Sequence, residues 1–242
     1  MTHLLRQTLD GSLTLSHKDH SQCFHSESGA LFEAQKLYLE SSKLLDCLRS
    51  HPSKESIKIL DLGLGLGYNA LASLDAWTKI EGKKASVKLI SLELDCELFF
   101  DLLSTTASWQ ANWSCEWKTY LKVLKEKTKT VFEAEYKAPC GAKFIWQVYL
   151  GDAIETLKNL SESSFLFIWQ DAFSPKLSPR LWSESWFSLV HQKSHKEAKL
   201  LTYSVARLVK DNLTKALWQY EKIKAPGQKN HWLLARPQAL ES

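Results

Sequence analysis

Three glycines at alternate positions form the strongest chemical signal in the sequence, within the segment Asp61-Leu-Gly-Leu-Gly-Leu-Gly-Tyr-Asn69. The residues around its start, 57–64, are mostly apolar, as in a parallel strand that is buried on both faces. A helical pattern begins at Tyr68. Glycines at such a turn let the backbone bend sharply and approach a ligand, beside the free N–H groups of the helix. The segment therefore predicts a cofactor-binding loop, although a glycine-rich turn without a ligand has the same pattern.

The spacing of the glycines separates two cofactor classes. A dinucleotide fingerprint, G-x-G-x-x-G, starting at Gly63 would need its third glycine where Tyr68 stands. This weakens the hypothesis of a nicotinamide-dependent oxidoreductase. The G-x-G-x-G form after an acidic residue suits S-adenosylmethionine (SAM) better, with Asp61 organising the loop or the methionine end of the cofactor. The cofactor contacts expected from this segment are Asp61, Gly63, Gly65, Gly67, Tyr68 and Asn69.

Two further acidic residues stand where predicted strands end. Glu93 ends the second strand, where a carboxylate can accept hydrogen bonds from both ribose hydroxyls, and Asp95 is the second candidate for that role. Asp152 closes the third strand and opens a helix, so it can cap helix N–H groups or accept from the adenine amino group. We expect Glu93, Asp152 and Ala153 among the cofactor contacts.

The fourth predicted strand ends in Trp169-Gln-Asp-Ala-Phe-Ser-Pro175, which places an acid and an aromatic ring beyond the carboxyl edge of the sheet. Open α/β folds bind their ligands there. Methyl transfer to nitrogen needs an unprotonated lone pair and an acceptor for the amine proton. Asp171 is the best candidate for that acceptor and is also expected among the cofactor contacts, and Phe173 and Pro175 would flank a flat base. An Asp before Ser-Pro is also a common turn and cap combination.

The rest of the chain alternates apolar strands with helical patterns, which is typical of an open α/β sheet. The predicted strands are 57–64, 87–93, 144–152, 165–173 and 198–204. The predicted helices are 29–49, 68–80, 95–107, 115–127, 153–160, 179–191 and 205–218. Two extended runs, 220–225 and 231–236, flank a Pro-Gly turn and predict a terminal hairpin. On the helix over 179–191, Trp182 and Trp186 lie four apart, which favours one core-facing stripe.

These elements predict one α/β domain over residues 1–242, with an N-terminal extension over about residues 1–28. A doubly wound, mostly parallel sheet with an antiparallel C-terminal hairpin is the Rossmann-like architecture of class I SAM-dependent methyltransferases. A chain of 242 residues is long enough to bury one sizeable core of this kind.

Composition and residue spacing argue against a membrane-spanning, disulfide-stabilised or metal-binding protein. The net charge of +4 is compatible with a nucleic-acid partner without requiring one. The N-terminus lacks a secretory signal pattern, and no apolar run approaches the roughly 18 residues of a membrane span, so we expect a cytoplasmic protein without membrane contact. Five cysteines without a C-x-x-C pair predict reduced thiols. The histidines His17, His20 and His25 lack a completing ligand set, so we expect no metal.

Three segments, taken together and in order, resemble one enzyme family. They are Phe24-His-Ser-Glu-Ser-Gly-Ala-Leu31, Lys58-Ile-Leu-Asp-Leu-Gly-Leu-Gly-Leu-Gly-Tyr-Asn-Ala70, and Asp171-Ala-Phe-Ser-Pro followed by Leu181-Trp. This combination is similar to the methyltransferase domain of the bacterial tRNA 5-methylaminomethyl-2-thiouridine biosynthesis family (MnmC-type), over about residues 20–236. The resemblance implies that SAM methylates the aminomethyl group at carbon 5 of the wobble uridine in certain tRNAs.

The resemblance also implies roles for single residues. Glu27 would border the cofactor and the active site, so it is a candidate proton acceptor beside Asp171. The implied substrate contacts are His25, Phe173, Pro175, Lys176 and Lys229. The sequence departs from the family in two places, because Asn230 stands where the family's C-terminal Gly-x-Lys-Arg turn has arginine and Arg207 stands at a loop glycine. Both departures concern the recognition of tRNA.

Three questions stay open at the level of the sequence. The family's fused FAD oxidase, which makes the amine, has no counterpart in these residues, so the resemblance implies the methyl step alone and leaves open a separate FAD-dependent oxidase as partner. The substrate could instead be another amine or a small molecule, or the chain could be a non-catalytic tRNA-binding protein with this fold. Lysines in or beside the helix predicted over 115–127 either contact RNA phosphates or form a solvated face; they are Lys118, Lys122, Lys125, Lys127 and Lys129.

Overall fold

The computed structural model describes residues 3–17, 29–50, 55–104, 119–226 and 231–238. Its main feature is a nine-stranded mixed sheet, accompanied by a separate two-stranded N-terminal hairpin. The strands are β1 (His3–Gln7), β2 (Leu13–His17), β3 (Ile57–Leu62), β4 (Val87–Glu93), β5 (Lys125–Thr128), β6 (Val131–Lys137), β7 (Lys143–Leu150), β8 (Phe165–Gln170), β9 (Ser194–Thr202), β10 (Trp218–Lys224) and β11 (His231–Pro237).

The order of strands in the large sheet is β10-β11-β9-β8-β3-β4-β7-β6-β5. The five central strands, β9, β8, β3, β4 and β7, run parallel. Antiparallel pairs close both edges, β10 with β11 on one side and β6 with β5 on the other. The chain proceeds from β3 to one side through β4 and β7, and then returns to the other side through β8 and β9. The order therefore reverses between β3 and β8, which is where open α/β sheets form their ligand crevice.

Helices cover both faces of the sheet. They are α1 (Ala30–Glu33), a π-helix (Ala34–Glu40), α2 (Leu44–Ser50), α3 (Tyr68–Thr78), α4 (Cys96–Leu103), α5 (Ala153–Asn159), a 3-10 turn (Pro179–Trp182), α6 (Glu184–Lys193) and α7 (Arg207–Lys215). Within the described residues no helix combines the length and apolarity that crossing a membrane requires.

Two apolar clusters, one on each face, form the core. Alternate residues of a strand point to opposite faces, and in β3 Ile59 belongs to one cluster while Leu60 belongs to the other. Helices α1 to α4 contribute to the first cluster, and α5 to α7 contribute to the second. This double burial explains why the central strands are nearly continuous apolar runs. Trp182 and Trp186 are fully buried in the second cluster, which confirms their prediction as core residues.

The predicted α/β class, the parallel core strands and the C-terminal antiparallel hairpin are confirmed. The helix predicted over 115–127 is wrong at its C-terminal end, because 125–128 form β5 and 131–137 form β6. Every residue of β5 is exposed, so pairing with β6, rather than burial of an apolar face, holds this charged edge strand. The lysines expected to share one helix face are therefore divided: Lys125 and Lys127 lie in β5, Lys129 follows it, and Lys118 lies outside the described residues.

The segment predicted as one helix over 29–49 forms three helical pieces. The short α1 passes directly into the π-helix, and a turn then separates this segment from α2. Lys43 in that turn has a left-handed backbone, with φ of 60°. The β1–β2 hairpin is an element that the sequence analysis did not predict.

Candidate active site

Asp171 lies directly after β8, at the carboxyl edge and at the point where the strand order reverses. Its N–H donates to the carbonyl of Leu62 at 3.1 Å, which ties the end of β8 to the end of β3. Its side chain accepts two hydrogen bonds at 2.8 Å, from the Tyr38 hydroxyl and from the Asn69 amide. The donors come from the π-helix and from the first turn of α3, so three separate parts of the chain meet at one carboxyl group.

The surroundings of Asp171 suit proton transfer near neutral pH. Burial raises the pKa of its carboxyl group to about 8; the nearby Glu33 and Asp61 also raise it, and the hydrogen bonds from Asn69 and Tyr38 oppose the shift. Glu33, on α1, is itself buried. Burial and the neighbouring Asp171 raise the pKa of Tyr38 well above its usual range, so its hydroxyl keeps its proton and remains a donor.

Asp61 lies in β3 and is fully buried. The Ser91 hydroxyl donates to one of its oxygens at 2.8 Å, and the Trp146 indole N–H donates to Ser91 at 3.1 Å. The other oxygen of Asp61 has no hydrogen-bond partner among the described residues. Burial raises the pKa of this carboxyl group to about 7, although the hydroxyl of Ser91 and the nearby side-chain amide of Asn69 act against the shift. A buried acceptor without a partner is rare in native proteins and marks a place where a ligand donor fits.

The glycine loop lies against the end of β8, as its sequence requires. Gly63 has φ of 83°, and a Cβ atom built there would lie 2.9 Å from the carbonyl oxygen of Asp171. Gly67 also has a left-handed backbone, with φ of 74°, immediately before α3. The N–H of Gly65 donates to the Glu93 carboxylate at 2.8 Å. The absence of side chains at these positions lets the loop pass close to both β8 and β4.

Glu93 and Asp95, the two candidates for the ribose contact, occupy different positions. The Glu93 carboxylate accepts from the backbone N–H groups of Gly65, Leu94 and Asp95, at 2.8 to 2.9 Å. Burial raises its pKa, and these hydrogen bonds oppose the shift. The Asp95 side chain instead caps α4 by accepting from the N–H of Leu98 at 3.0 Å. Glu93 is thus the acid that borders the glycine loop.

Asp152 caps α5 and also forms an ion pair. One carboxylate oxygen accepts from the N–H groups of Ile154 and Glu155, and the other accepts from Arg180 at 3.0 Å. Burial acts to raise the pKa of Asp152, but the helix N–H groups and the Arg180 guanidinium hold it below its ordinary value. Ala153 is the first residue of α5.

The loop after Asp171 holds the predicted substrate contacts Phe173, Pro175 and Lys176. The Trp182 indole N–H donates to the carbonyl of Phe173 at 2.7 Å, which fastens the loop to the core. Lys176 is exposed, whereas Phe173 and Pro175 are half-buried. The predicted contacts His25, Glu27 and Lys229 lie outside the described residues.

Tyr68, which was expected among the cofactor contacts, places its side chain elsewhere. Its hydroxyl donates to the carbonyl of Leu13 at 2.9 Å and accepts from the N–H of the same residue at 3.1 Å. The phenol therefore attaches α3 to the N-terminal hairpin, and only its backbone remains beside the glycine loop.

Several residues of the site were not found from the sequence. Tyr38 and Glu33 belong to a segment that was predicted only as a helix. Tyr203 donates from its hydroxyl to the carbonyl of Ala172 at 2.9 Å, and it follows β9. None of these residues stands in a motif, since each reaches the site through the tertiary fold. No group of three or more His, Cys, Asp or Glu side chains in the described ranges could hold a metal ion.

Comparison with known proteins identifies the family. A model of the S-adenosyl-L-methionine-dependent methyltransferases matches residues 110–238, more than half of the chain. The chain belongs to this family of SAM-dependent methyltransferases. The buried oxygen of Asp61 without a hydrogen-bond partner among the described residues and the three glycines of the loop that follows β3 fit the amino-acid end of SAM, which offers an ammonium donor.

Curated relatives of this methyltransferase include bifunctional proteins of tRNA 5-methylaminomethyl-2-thiouridine biosynthesis, called MnmC. The protein from Azoarcus sp. is 29% identical over 224 residues, covering 88% of this chain and 32% of the relative. An uncharacterized protein of Methanocaldococcus jannaschii is 28% identical over 214 residues, covering 84% of this chain and 51% of the relative. The methyltransferase thus spans about a third of the length of the bifunctional relatives.

Solved structures support the same fold. The crystal structure of MNMC2 from Aquifex aeolicus matches with a TM-score of 0.77 and 25% identity, covering 99% of this chain and 73% of that chain. Spermidine synthase from Thermotoga maritima matches with a TM-score of 0.56 at 10% identity, covering 99% of this chain and 70% of that chain. The second likeness concerns the fold alone.

Proposed function

We propose that this methyltransferase converts 5-aminomethyl-2-thiouridine at the wobble position of tRNA into 5-methylaminomethyl-2-thiouridine. The observation that carries the proposal is the half-buried carboxyl group of Asp171, with a pKa of about 8, held between Tyr38 and Asn69 at the switch point of the sheet. The similarity to proteins named for this biosynthesis supports the choice of substrate.

An acidic, enclosed site suits an amine that arrives protonated. Aliphatic amines have pKa values of about 10, so an aminomethyl group enters mainly as an ammonium ion. The carboxyl groups of Glu33 and Asp61 lie close enough to Asp171 to raise its pKa. An ammonium ion beside Asp171 favours the carboxylate form of that residue, which is the form that can accept a proton.

In the proposed reaction, the amine loses a proton to Asp171 before it receives the methyl group. The ammonium gives one proton to the Asp171 carboxylate, and the freed nitrogen lone pair forms a bond to the methyl carbon. When bound, SAM would supply that carbon from its sulfonium, and the electrons of the broken S–C bond would stay on the sulfur of S-adenosylhomocysteine. The product is a secondary ammonium, and Asp171 releases its proton to solvent. Tyr38 and Asn69 hold the carboxylate in place during these steps.

The proposed cofactor site uses the acids and the loop at the ends of β3, β4 and β7. The backbone from Gly63 to Asn69 would border the methionine end, with Asp61 below it. Glu93 would accept from the ribose hydroxyls after releasing the N–H of Gly65, to which it is bonded here. Asp152 and Ala153 would border the adenine.

The proposed substrate site and partners follow from the loop after β8. Phe173 and Pro175 would flank the uracil ring, and the exposed Lys176 would approach the RNA backbone. His25, Glu27 and Lys229 remain predictions for this site. A cytoplasmic tRNA is the proposed partner, and a separate FAD-dependent oxidase is the proposed source of the amine.

A second candidate function is methylation of another amine or of a small molecule. The acids around Asp171 recognise positive charge, and nothing in that chemistry requires a nucleotide. The two functions differ in whether free amines are accepted without RNA.

The test is transfer of labelled methyl from SAM to tRNA that lacks the terminal wobble methyl group, followed by analysis of the nucleosides. We expect label in 5-methylaminomethyl-2-thiouridine. We expect Asp171→Ala to lose turnover by about 100-fold or more while its affinity for SAM changes little. Equal losses in both would make Asp171 a cofactor residue, and label on free amines but not on tRNA would select the second function.

A further inference from the structure

The N-terminal hairpin is hydrogen-bonded to α1, which passes directly into the π-helix that carries Tyr38. The Ser12 hydroxyl in the β1–β2 turn accepts from the N–H of Ala30 at 3.0 Å, and the Asp10 carboxylate accepts from the N–H of Phe32 at 2.8 Å. Asp10 is fixed in turn by the Thr8 hydroxyl at 2.8 Å. The side chains of the turn thus take the place of a local cap, because α1 has no side-chain cap of its own.

The fit between the turn and α1 is close. Gly29, which precedes α1, has φ of 132°, and a Cβ atom built there would lie 2.0 Å from the Asp10 side chain. The carboxylate therefore occupies the space that any larger residue would need. Burial acts to raise the pKa of Asp10, but hydrogen bonds from Ser12, Phe32 and Thr8 hold it below its ordinary value, so Asp10 stays ionised as an acceptor.

The hairpin makes a second contact, with the helix that carries Asn69. The Tyr68 hydroxyl bonds to both the carbonyl and the N–H of Leu13, at 2.9 and 3.1 Å, and both bonds are buried. These two residues are 55 positions apart in the chain. Tyr68 is the first residue of α3, and the next residue, Asn69, donates to Asp171.

The two contacts lead to the two donors of Asp171. One runs from the turn through α1 into the π-helix, where Tyr38 lies. The other runs from Leu13 through Tyr68 to Asn69. We propose that the β1–β2 hairpin positions the two hydrogen-bond donors to Asp171. Tyr68 is the positioning residue on the Asn69 side, and the turn residues Ser12 and Asp10 act on the Tyr38 side. This inference rests on the proposed role of Asp171 as proton acceptor.

The proposal predicts an effect at a distance. Tyr68→Phe replaces none of the titratable side chains that influence Asp171, which are Tyr38, Glu33, Asp61 and Tyr203. It frees α3 from the hairpin, so the hydrogen bond from Asn69 weakens. Donors to a carboxylate lower its pKa, and their loss raises the pKa of Asp171. With a pKa near 8, each further unit removes about nine tenths of the carboxylate present at pH 7.

The experiment measures the pKa of Asp171 in the protein alone, from its carboxyl signal in carbon-13 NMR, assigned by its absence in Asp171→Asn. We expect Tyr68→Phe to raise this pKa and to lower turnover at pH 7 by about threefold to tenfold, with SAM affinity almost unchanged. The matched control is Tyr136→Phe, which removes another hydroxyl that donates to a backbone carbonyl, that of Tyr120. The control is expected to leave the pKa of Asp171 unchanged.

A second variant keeps the test valid if Tyr68→Phe does not fold. Ser12→Ala removes the acceptor for the N–H of Ala30 and is expected to shift the pKa of Asp171 in the same direction, by a smaller amount. An Asp171 pKa equal to that of the wild type in a folded Tyr68→Phe or Ser12→Ala variant would overturn the proposal. The pKa of Asp171 is measured without RNA. A wild-type protein that fails to label tRNA would therefore overturn the proposed function without changing the outcome of this pKa measurement.

Discussion

The Tyr38 hydroxyl donates to Asp171 across 133 positions of the chain, at 2.8 Å. Tyr38 lies within the π-helix, in which hydrogen bonds join residues five apart, and π-helical turns are frequent at functional sites. Glu33 lies five residues before it, and both influence the charge of Asp171. The end of α1 and the π-helix thus place a buried carboxyl group and a buried phenol near Asp171.

The first prediction concerns that hydrogen bond. Tyr38→Phe removes a donor to the Asp171 carboxylate, so the pKa of Asp171 rises from about 8. Turnover in the wild type is expected to increase with pH through this range, and in the variant the rise is displaced to higher pH. The measurement is kcat against pH, with SAM binding followed by calorimetry. The control is Tyr120→Phe, which removes a hydroxyl that is hydrogen-bonded to Thr78. An unchanged profile in Tyr38→Phe would contradict the assignment.

The second prediction concerns stability. The folded-state pKa of Asp171 is raised from 3.8 to about 8, so between these values the folded protein binds more protons than the unfolded chain. Stability contributed by the protonated group is therefore lost as pH rises from about 4 to about 8. Asp171→Asn removes this dependence, and we expect a higher melting temperature at pH 7, by about 2–4 °C for each kcal/mol gained. Thermal unfolding at pH 4.5 and pH 8 checks it, because the gain must be larger at pH 8.

The third prediction separates the two candidates for the ribose contact. Glu93 borders the glycine loop, whereas Asp95 caps α4. Glu93→Gln is expected to weaken SAM binding by about tenfold, the effect of roughly 1.4 kcal/mol, with a small change in melting temperature. Asp95→Ala is expected to lower stability by about 1 kcal/mol and to leave SAM binding within twofold. Calorimetric titration and thermal unfolding of both variants decide the matter, and the reversed pattern would select Asp95.

The strands and loops around the site were predictable because their signals are local. The glycine spacing, the strand-end acids and the apolar runs each depend on a few neighbouring residues, and β4 was predicted with the bounds that it has in the structure. The N–H to carbonyl bond between Asp171 and Leu62 follows from two parallel strands ending at the same edge.

The missing parts depend on tertiary contacts. Tyr38 reaches Asp171 from a π-helix, and no residue type in the segment marks the change from α- to π-helix. Arg180 reaches Asp152 from a 3-10 turn, and this ion pair joins residues 28 positions apart, so no local pattern predicts it. The strand β5 has charged residues and no buried face, and its pairing with β6 is what makes it a strand.

The fourth prediction tests the close approach of the glycine loop to Asp171. Gly63→Ala adds a Cβ atom 2.9 Å from the Asp171 carbonyl oxygen, at a left-handed φ of 83°. Gly141→Ala is a matched control, because Gly141 has φ of 89° but no heavy atom within 4 Å of the added atom. Both variants carry the backbone strain of alanine at positive φ, about 1–2 kcal/mol.

Only Gly63→Ala must also displace the backbone after β8. We expect it to unfold at a lower temperature than Gly141→Ala and to lose SAM binding by at least about tenfold, because the loop and Asp171 can no longer keep their places. Gly141→Ala should bind SAM as the wild type does. Equal stability and equal SAM affinity in the two variants would mean that the loop accommodates the added Cβ atom without loss of function. The steric reason given for glycine at position 63 would then be wrong.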